Sequence, residues 1–354
     1  MNSILQLESQ ISSTRNSLRA DRLDMSFGEI ISTYEKGELI ISPEFQRLYR
    51  WDVDQRTRFI ESILLGIPIP PIFVAEDSVG RWELVDGLQR VSTILSYFGQ
   101  LKPKSKDENF WKMTKGSLVP ALDGRTSKDM PDKFNRNILR AVCRVEIIKW
   151  DSQWDMRYEL FSRLNTGGTP LSDQEIRNSI FRSGLKKLYK FIDEAKQSDD
   201  FSCIVDASDR KRQRLWDEEL VLRFVALVGN WRSVDASMSR FITSYMRSML
   251  EKKSDIDEKT VHRFYAVMKL LRPFGRDLFR VHTAFSSSLY DAITIGVSEN
   301  FDILSNNQQL LTKVINAIKR SDEFRDMRGG ASSSSRTKVR LQLAMEIFDQ
   351  CINA

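Results

Sequence analysis

The sequence predicts an α+β domain over residues 1–183 and an all-helical domain over residues 184–354. In the first part, strand-like and helix-like patterns alternate: residues 72–76 form a short apolar run after closely spaced prolines, whereas residues 54–65 repeat apolar side chains at helical spacing. After about residue 183 only one proline remains, Pro273, and helical periodicity dominates. This change of pattern sets the predicted domain boundary.

Apolar spacing and chain breakers define the elements up to residue 100. Residues 25–34 and 54–65 have apolar side chains at helical spacing, and Gly66 ends the second helix as a C-terminal cap. The turn DSVG then reverses the chain between two strands. In order, we predict a helix or arm at 1–24, a helix at 25–34, a strand at 39–41, a helix at 54–65, antiparallel strands at 72–76 and 81–85, and a helix after residue 90.

Beyond residue 100 the same signals predict one more strand and a series of helices. Residues 101–137 are polar and predict a long loop with short helical pieces, and SDQE, Ser172 to Glu175, is a capping box. The serine-rich piece RGGASSSSRTKVR predicts a flexible loop that leads into the last helix. We predict a strand at 141–148, helices at 153–164, from 172 onward, at 216–228, 239–250, 261–271, 310–318 and 339–352, and no strand after residue 183.

Composition limits the classes of function. The chain has 354 residues, 41% of them apolar, and contains no apolar run of the roughly 18 residues that a membrane span requires. Its start, MNSILQLESQ, is too polar for a signal peptide, so we expect a cytosolic protein. The cysteines Cys143, Cys203 and Cys351 are far apart, and we expect buried thiols.

The net charge and the number of histidines limit the classes of function further. The net charge of +6, from 54 basic and 48 acidic residues, permits binding of nucleotides or nucleic acid without requiring it. Only His262 and His282 are present. Two isolated histidines make a Cys2His2 zinc site, a histidine-rich metal hydrolase or an HNH-type nuclease difficult to assemble.

The stretch VDGLQR, residues 85–90, joins a predicted strand to a predicted helix. A glycine turn before a helix N-terminus suits an anion, because the first-turn amides lack helical partners and the helix dipole favours negative charge. Arg90 has the wrong sign for that dipole, which a bound phosphate or carboxylate would explain. Asp86 can hold a metal, orient a water or bind a ribose hydroxyl, and Gln89 can do the last two. A structural role is equally compatible, with Asp86 capping the helix and Arg90 paired with Glu83 or Asp86.

Two further polar clusters accompany this stretch. In PEFQRLYRW, the side chains of Gln46, Arg47 and Arg50 stand among aromatic residues, a mixture that suits stacking on a base and binding a phosphate, or simply a loop packed by its aromatics. In RLNTGGTPLSDQEIRN, Asn165 lies at a glycine-rich corner, and Asn178 is less easily explained by folding. The clusters together favour a ligand site.

Basic residues near two other segments are candidates for contacts with a nucleic-acid backbone, although a solvated charged face accounts for them as well. The first segment is DRKRQR and the second follows the four serines. Ser92 and Thr93 have no histidine or lysine base nearby in sequence, so we do not expect a serine nucleophile. The candidate nucleic-acid contacts are Arg212, Arg214, Arg336, Lys338 and Arg340.

The ordered motifs resemble the N-terminal domain of the GmrSD-type restriction proteins, which have a DGQQR motif and a ParB/sulfiredoxin-like fold. Here the motif is DGLQR, with Leu88 in place of the first glutamine. The segments PEFQRLYRW, ESILLGIPIPPIFV and FSRLNTGGTPLSDQEIRNSIF match the elements around it, and WDEELVLRFVAL is similar to the start of the helical region. The resemblance covers most of the chain and is strongest over residues 40–182.

This resemblance implies a small mixed sheet of the ParB/sulfiredoxin type and a site that binds and hydrolyses nucleoside triphosphates. It implies Mg²⁺ as the companion of the triphosphate, with Asp86 as a ligand, direct or through water. By the same resemblance, the catalytic residues are Asp86, Gln89 and Arg90, and the nucleotide-binding residues are Gln46, Arg47, Gly87, Asn165 and Asn178.

The leading hypothesis is therefore a nucleotide-binding, NTP-hydrolysing subunit of a DNA-associated defence or restriction system. Fused relatives carry a histidine-based nuclease module, and the two histidines here fit no such pattern, so we expect a separate nuclease partner if DNA is cut. We also expect a homodimer and no membrane association. The alternatives are a non-enzymatic, ParB-like DNA-binding module and a metal-dependent nuclease.

Overall fold

The computed structural model describes residues 2–15, 19–41, 49, 51–77, 79–102, 109–149, 172–182, 184–235, 237–281, 283–322, 324 and 334–353. The chain divides into two compact units, Met1–Pro170 and Leu171–Ala354. The second unit thus begins before the boundary expected at residue 183. The predicted class is confirmed at the level of mixed helices and strands, with a small mixed sheet and a helical C-terminal region. The ParB/sulfiredoxin fold stays a prediction.

The first unit alternates strands and helices, and most of the expected elements are present. The strand at 72–76 is confirmed with its full bounds, and the strand that follows is antiparallel to it, as predicted. The elements are α1 Asn2–Arg15, β1 Ala20–Ser26, α2 Phe27–Glu35, β2 Leu39–Ile40, α3 Val53–Leu64, β3 Ile72–Glu76, β4 Trp82–Asp86, α4 Leu88–Tyr97, a 3-10 turn Pro120–Leu122, α5 Asp132–Arg140 and β5 Val142–Ile148.

The five-stranded sheet is mixed, in the order β1-β5-β3-β4-β2. The β1–β5 and β3–β4 pairs are antiparallel, whereas β3–β5 and β2–β4 are parallel. Apolar side chains of the central strands and of α2 and α4 form the core, because the alternating inward residues of a strand and one face of each helix are removed from water together. Fully buried members include Phe27, Ile30, Ile72, Val74, Val91, Leu95 and Val145.

The prediction of a helix or arm at residues 1–24 is wrong from Ala20 onward, where the chain forms strand β1. Most of β1 is solvent-exposed at the edge of the sheet, so its sequence lacks the alternation of apolar and polar residues that identifies a half-buried strand. Cross-strand ion pairs align it on β5: Arg22 with Glu146 at 3.0 Å and Asp24 with Arg144 at 3.1 Å.

The loop that follows α4 is held against helix α3 by a buried carboxylate of that helix, Glu61. Glu61 is 3% exposed and accepts hydrogen bonds from the amides of Leu118 (2.8 Å) and Val119 (2.6 Å) and from the hydroxyl of Ser117 (2.8 Å). Burial raises the pKa of the Glu61 carboxyl, but these hydrogen bonds to its ionised form outweigh burial and hold the pKa below its ordinary value. One ionised side chain therefore holds residues 117–119 of this loop against α3.

The second unit is helical, and the helices expected from periodicity are present apart from that at 153–164, which lies outside the described residues. One expectation is wrong: the unit contains a two-stranded hairpin, whose strands are too short to give a periodic signal. The elements are α6 Asp173–Phe181, α7 Lys186–Ala195, α8 Asp199–Val205, α9 Asp209–Gln213, α10 Trp216–Leu227, a 3-10 turn Trp231–Ser233, α11 Met238–Glu251, α12 Glu258–Leu271, a 3-10 turn Arg272–Asp277, β6 Arg280–Val281, β7 Ala284–Phe285, α13 Ser287–Glu299, α14 Phe301–Leu304, α15 Gln308–Arg320 and α16 Ser334–Asn353.

The expected loop at 328–340 is partly helix, because α16 already begins at Ser334, within the serine-rich piece. Residues 328–333 lie outside the described part of the chain. Among the helices that are described, none is both long and apolar enough to cross a membrane.

A buried ion pair joins α10 to α13 in the centre of the helical unit. The guanidinium of Arg223 donates to Asp291 through two nitrogens, one of them, Nε, at 2.9 Å from Oδ1, and lies 3.5 Å from Glu219. The side chain of Asp291 is 4% exposed and that of Arg223 is 11% exposed. Removing Arg223 would leave the Asp291 carboxylate in a low-dielectric interior without this partner, and removing Asp291 would leave the buried guanidinium with only the longer contact to Glu219.

We predict that Glu61→Gln lowers the free energy of unfolding by about 1–3 kcal/mol at pH 7, because a neutral amide cannot replace the accepting carboxylate. The stabilisation by Glu61 is complete above the pKa of the unfolded state, about 4.3, and is lost as the pH falls through the lower folded pKa. Urea unfolding at a series of pH values should show the variant approaching the wild type in acid. Glu35→Gln, an exposed change on α2, is the control; a gap that stays constant with pH would contradict this account.

We predict that Asp291→Ala destabilises the helical unit by about 3–5 kcal/mol, because it leaves Arg223 charged and buried. The double variant Arg223→Met with Asp291→Leu should recover much of that loss, since it removes both charges and keeps the volume filled. Urea denaturation of the single and double variants measures both values. A double variant as unstable as Asp291→Ala would show that packing, not the unpaired charge, causes the loss.

Candidate functional site

The VDGLQR stretch is a strand-to-helix junction, as predicted. Strand β4 ends at Asp86, Gly87 adopts a left-handed conformation (φ 96°, ψ 12°), and α4 begins at Leu88. A Cβ atom on Gly87 would lie 2.5 Å from Cγ2 of Ile72, so the position excludes any side chain on two grounds, backbone conformation and space. Gly87 is the N-cap residue and supplies no side-chain acceptor to the first-turn amides.

An irregularity in the sheet sets the position of Asp86. On β3 and β4, Phe73 pairs with Asp86 but Val74 pairs with Leu84, so Val85 is an extra residue at that point. A β-bulge of this kind turns the end of a strand and redirects its side chains, and it is common next to functional sites. The side chain of Asp86 is 39% exposed and therefore accessible to a ligand.

Arg90 projects from the first turn of α4 and is fixed by two acceptors. Its Nη2 atom donates to the carbonyl oxygen of Pro71 and to Oδ2 of Asp86, both at 3.0 Å. The side chain is 15% exposed, and its Nε atom is buried without a hydrogen-bond partner within the part of the chain that the structure describes. Of the two structural alternatives, the Asp86–Arg90 pair is observed, whereas capping of α4 by Asp86 is not.

The charge of Arg90 acts on the interior of the sheet as well. Burial raises the pKa of the Cys143 thiol on β5, and the nearby guanidinium of Arg90 opposes that rise. Cys143 is buried, as expected, whereas Cys203 is exposed and Cys351 is intermediate, so the expectation of three buried thiols is wrong for these two. Both of them lie in helices of the second unit, and no periodic signal marked them as outward-facing.

The end of the PEFQRLYRW segment lies against α4. The amide of Trp51 donates to Oε1 of Gln89 at 3.0 Å, and the hydroxyl of Tyr49 is 3.2 Å from Oγ1 of Thr93. The structure therefore brings Tyr49 and Trp51, the described residues of this segment, to the helix that carries Arg90. Gln46 and Arg47 themselves lie outside the described residues, so their place in the site stays a prediction.

Arg56 is a member of this region that the sequence did not single out. Its guanidinium carbon lies 4.3 Å from the centre of the Tyr49 ring, and its Nε donates to the carbonyl oxygen of Trp51 at 2.8 Å. The contact forms because Asp52 caps helix α3 and turns the chain between these residues. No sequence pattern signals such a stacked arginine.

The third cluster belongs to the helical unit, where its described members are part of a buried polar network. Asn178 is 3% exposed; it accepts from Nε2 of Gln174 and donates to Oε2 of Glu218, both at 2.8 Å. Arg177 is fully buried and binds Glu219 at 2.9 Å. These bonds give Asn178 and Arg177 roles in folding. Asn165 lies outside the described residues, and nucleotide binding by Asn178 stays a prediction.

The capping box and the candidate nucleic-acid contacts lie in the helical unit. Ser172 and Glu175 form the predicted capping box of α6. Arg212 and Arg214 are exposed, the former on α9 and the latter at its end. Lys338 and Arg340 lie on α16, and Nη1 of Arg340 donates to the hydroxyl of Ser288 at 2.9 Å. The side chain of Arg336 is outside the described set.

The donor set limits which metal the site can hold. Within the described residues, no group of three or more histidine, cysteine, aspartate or glutamate side chains is arranged to bind a metal ion. The single accessible carboxylate of Asp86 fits Mg²⁺, which binds proteins through one or two carboxylates and takes its other ligands from phosphates and water. It does not fit a preformed zinc centre, which needs at least three protein ligands.

Comparison with known proteins gives one family match, which lies in the first half of the chain. Residues 27–182 match the model of the family described as GmrSD restriction endonuclease, N-terminal domain. No curated protein and no solved structure matches the chain. The match begins at α2, ends at α6 and includes the whole VDGLQR junction, so it confirms the resemblance expected from the motifs. Residues 27–182 are thus similar to the GmrSD N-terminal domain family.

Proposed function

We propose that this protein is a nucleotide-binding, NTP-hydrolysing subunit of a restriction-type, DNA-associated defence system. The family assignment supports a role in restriction or defence. The observation that carries the nucleotide proposal is the partly buried, oriented guanidinium of Arg90 beside the accessible carboxylate of Asp86, at a helix start that only glycine can form.

Phosphate recognition follows from two features of the junction. The first turn of α4 has no side-chain cap, and the N-terminal end of a helix favours a negative charge. Arg90 adds a full positive charge on the same turn, partly shielded from water, where its attraction to a phosphate is stronger than at the surface. Among the described residues, the buried Nε atom of this guanidinium has no acceptor, so it can donate to a ligand.

Hydrolysis requires a residue that orients the attacking water and one that stabilises charge on the phosphoryl group. In this proposal Asp86 holds the water, or holds Mg²⁺ through water, and Arg90 stabilises the negative charge that develops in the transition state. Mg²⁺, when bound with the triphosphate, would supply further neutralisation of its phosphates. Gln89, which also accepts from the amide of Trp51, links the site to the PEFQRLYRW segment that carries Gln46 and Arg47.

The proposed role in defence includes DNA and a second protein. His262 and His282 are the only histidines, and they fit no histidine-based nuclease motif, so this account assigns DNA cleavage to a separate nuclease chain. The present chain would then act as a sensor or switch whose nucleotide state controls its partner. The proposal extends to a homodimer of this chain in the cytosol.

A second candidate function is a non-enzymatic DNA-binding module. It is favoured by the exposed Arg212 and Arg214 on one short helical segment, where they can reach backbone phosphates. This alternative predicts DNA affinity that falls steeply with salt and no turnover of nucleotide.

The proposed function predicts Mg²⁺-dependent phosphate release from at least one of the four NTPs. Asp86→Ala and Arg90→Ala should each reduce the rate by about 100-fold or more, because each removes a group that acts on the reacting phosphate. The assay is phosphate release by the full-length protein, with and without DNA.

The matched control is Arg81→Ala, which removes the arginine of another Asp–Arg pair at i, i+4 spacing, Asp77 with Arg81 at 2.9 Å in the β3–β4 turn. Its rate should stay near that of the wild type. If turnover survives in both Asp86→Ala and Arg90→Ala, the site is wrongly assigned. If no NTP is hydrolysed under any condition while DNA binding is intact, the DNA-binding module becomes the better account.

Gly87→Ala should abolish turnover, because a Cβ atom at this position meets Ile72 and shifts the start of α4 away from β3. The control is Gly80→Ala: Gly80 also has a positive φ, of 82°, but no heavy atom lies within 4 Å of the point that its Cβ would occupy. Both variants carry the cost of a left-handed alanine, about 1–2 kcal/mol, and only Gly87→Ala carries the collision. Equal activity in the two variants would show that the close packing of Gly87 is not required.

A further inference from the structure

The helical unit contains a cavity of about 630 Å³ whose walls come from distant parts of the sequence. The β6–β7 hairpin, the start of α13, the end of α15 and helix α16 all contribute described residues to it. A cavity of this size matches sites for small organic ligands, which range from about 300 to 1,000 Å³. It lies wholly within the second unit and shares no residue with the VDGLQR junction.

The described lining residues include three cationic side chains, Arg280, Lys319 and Arg340, and no acidic one. Hydrogen bonds fix each cation: Nη1 of Arg280 donates to the carbonyl oxygen of Thr283 at 2.8 Å, Nζ of Lys319 to that of Asp277 at 2.7 Å, and Arg340 to Ser288. Arg280 also pairs with Asp206, at 3.1 Å, outside the lining. Because these charges are already oriented, little side-chain entropy remains to be lost when an anion binds.

The other part of the lining is apolar and aromatic, with Phe285, Leu289, Ile318 and Phe324 among its residues. Phe285 packs edge-to-face against Trp216, with ring centres 4.5 Å apart, so its ring is held in a fixed orientation. A fixed aromatic ring next to an apolar wall can accept the flat face of a heterocycle.

Of the two basic segments identified in the sequence, one contributes a residue to the cavity wall and the other lies near the ring of Phe285. Lys211, in the DRKRQR run, lies 5.6 Å from the ring centre of Phe285 and 4.0 Å from that of Trp216. Arg340, in the segment after the serines, lines the cavity itself. Burial lowers the pKa of Lys319, and burial together with the charge of Arg280 lowers that of Lys211, as expected where cations are concentrated away from water.

We propose that this cavity binds one nucleotide, with its phosphate at Arg280, Lys319 and Arg340 and its base against Phe285 and the apolar wall. A simple anion would use the cations but leave the aromatic wall without a role, whereas a nucleotide uses both. The same chemistry is offered by a free mononucleotide and by a nucleotide of a single DNA strand. The inference builds on the DNA association in the proposed function and is independent of turnover at Asp86 and Arg90.

The test compares two charge reversals on the same helix, α15. Lys319→Glu places a negative charge in the cavity, whereas Lys313→Glu makes the same change in net charge at an exposed position outside the lining. Binding of a labelled 12-nucleotide single strand to the full-length protein is followed by fluorescence anisotropy. We expect Lys319→Glu to weaken binding by about tenfold or more and Lys313→Glu to have little effect.

Competition with dAMP and with inorganic phosphate identifies what the cavity recognises. We expect dAMP to displace the strand, and Phe285→Leu, which keeps an apolar side chain but removes the ring, to weaken dAMP and strand by about fivefold or more while leaving phosphate unchanged. If the oligonucleotide binds more tightly than dAMP, the nucleotide that the cavity recognises belongs to a DNA strand. If the two affinities are equal, the cavity recognises a free nucleotide.

Two results would overturn the proposal: equal losses in Lys319→Glu and Lys313→Glu, or competition by inorganic phosphate as effective as that by dAMP. Unfolding midpoints of all variants show whether the fold is kept, and Lys319→Gln replaces Lys319→Glu if it is not. Phosphate release without DNA, measured in the same variants, reports on the VDGLQR site alone, so failure of one proposal is distinguishable from failure of the other.

Discussion

The contact between Gly87 and Ile72 is the constraint on which the N-terminal unit depends. It joins β3 to the start of α4 at a separation that admits no side chain, and the bulge at Val85 gives β4 the register that this approach requires. With α4 fixed in this way, Arg90 reaches the carbonyl oxygen of Pro71 just before β3 and the carboxylate of Asp86 at the end of β4. The fold thus places a partly buried cation, an accessible acid and a helix start at one point.

The helical unit buries several charged side chains, and each of them is paired with an opposite charge. Arg177, Arg223 and Lys196 are paired with Glu219, Asp291 and Glu218, which ties α6, α7, α10 and α13 together through their charged residues. Such pairs add little net stability compared with apolar packing, but they fix which helices lie together, because an exchanged neighbour would leave a charge buried alone. Of these helices, α13 also lines the cavity that we infer.

The sequence predicted those parts of the structure that periodicity and local chemistry control. The helices of both units, strands β3 to β5 and the capping box at Ser172 follow from signals within a few residues. It did not predict β1, whose exposed residues have no alternation, or the two-residue strands of the β6–β7 hairpin. Nor did it predict the hydrogen bond of Asn178 to Glu218, because that buried partner is remote along the chain. The placement of Phe285 and Arg340 in one cavity wall, with Lys211 near the Phe285 ring, depends on tertiary structure alone.

The central claim is that the VDGLQR junction is a phosphate site, and binding tests it more directly than turnover does. The measurement is the affinity for a non-hydrolysable triphosphate analogue with Mg²⁺, by isothermal titration, for the wild type and for Arg90→Gln. Loss of the guanidinium charge should weaken binding by about tenfold or more, since a charge-assisted contact to phosphate contributes at least about 1.4 kcal/mol. Equal affinity in the two proteins would show that the phosphate does not bind at Arg90.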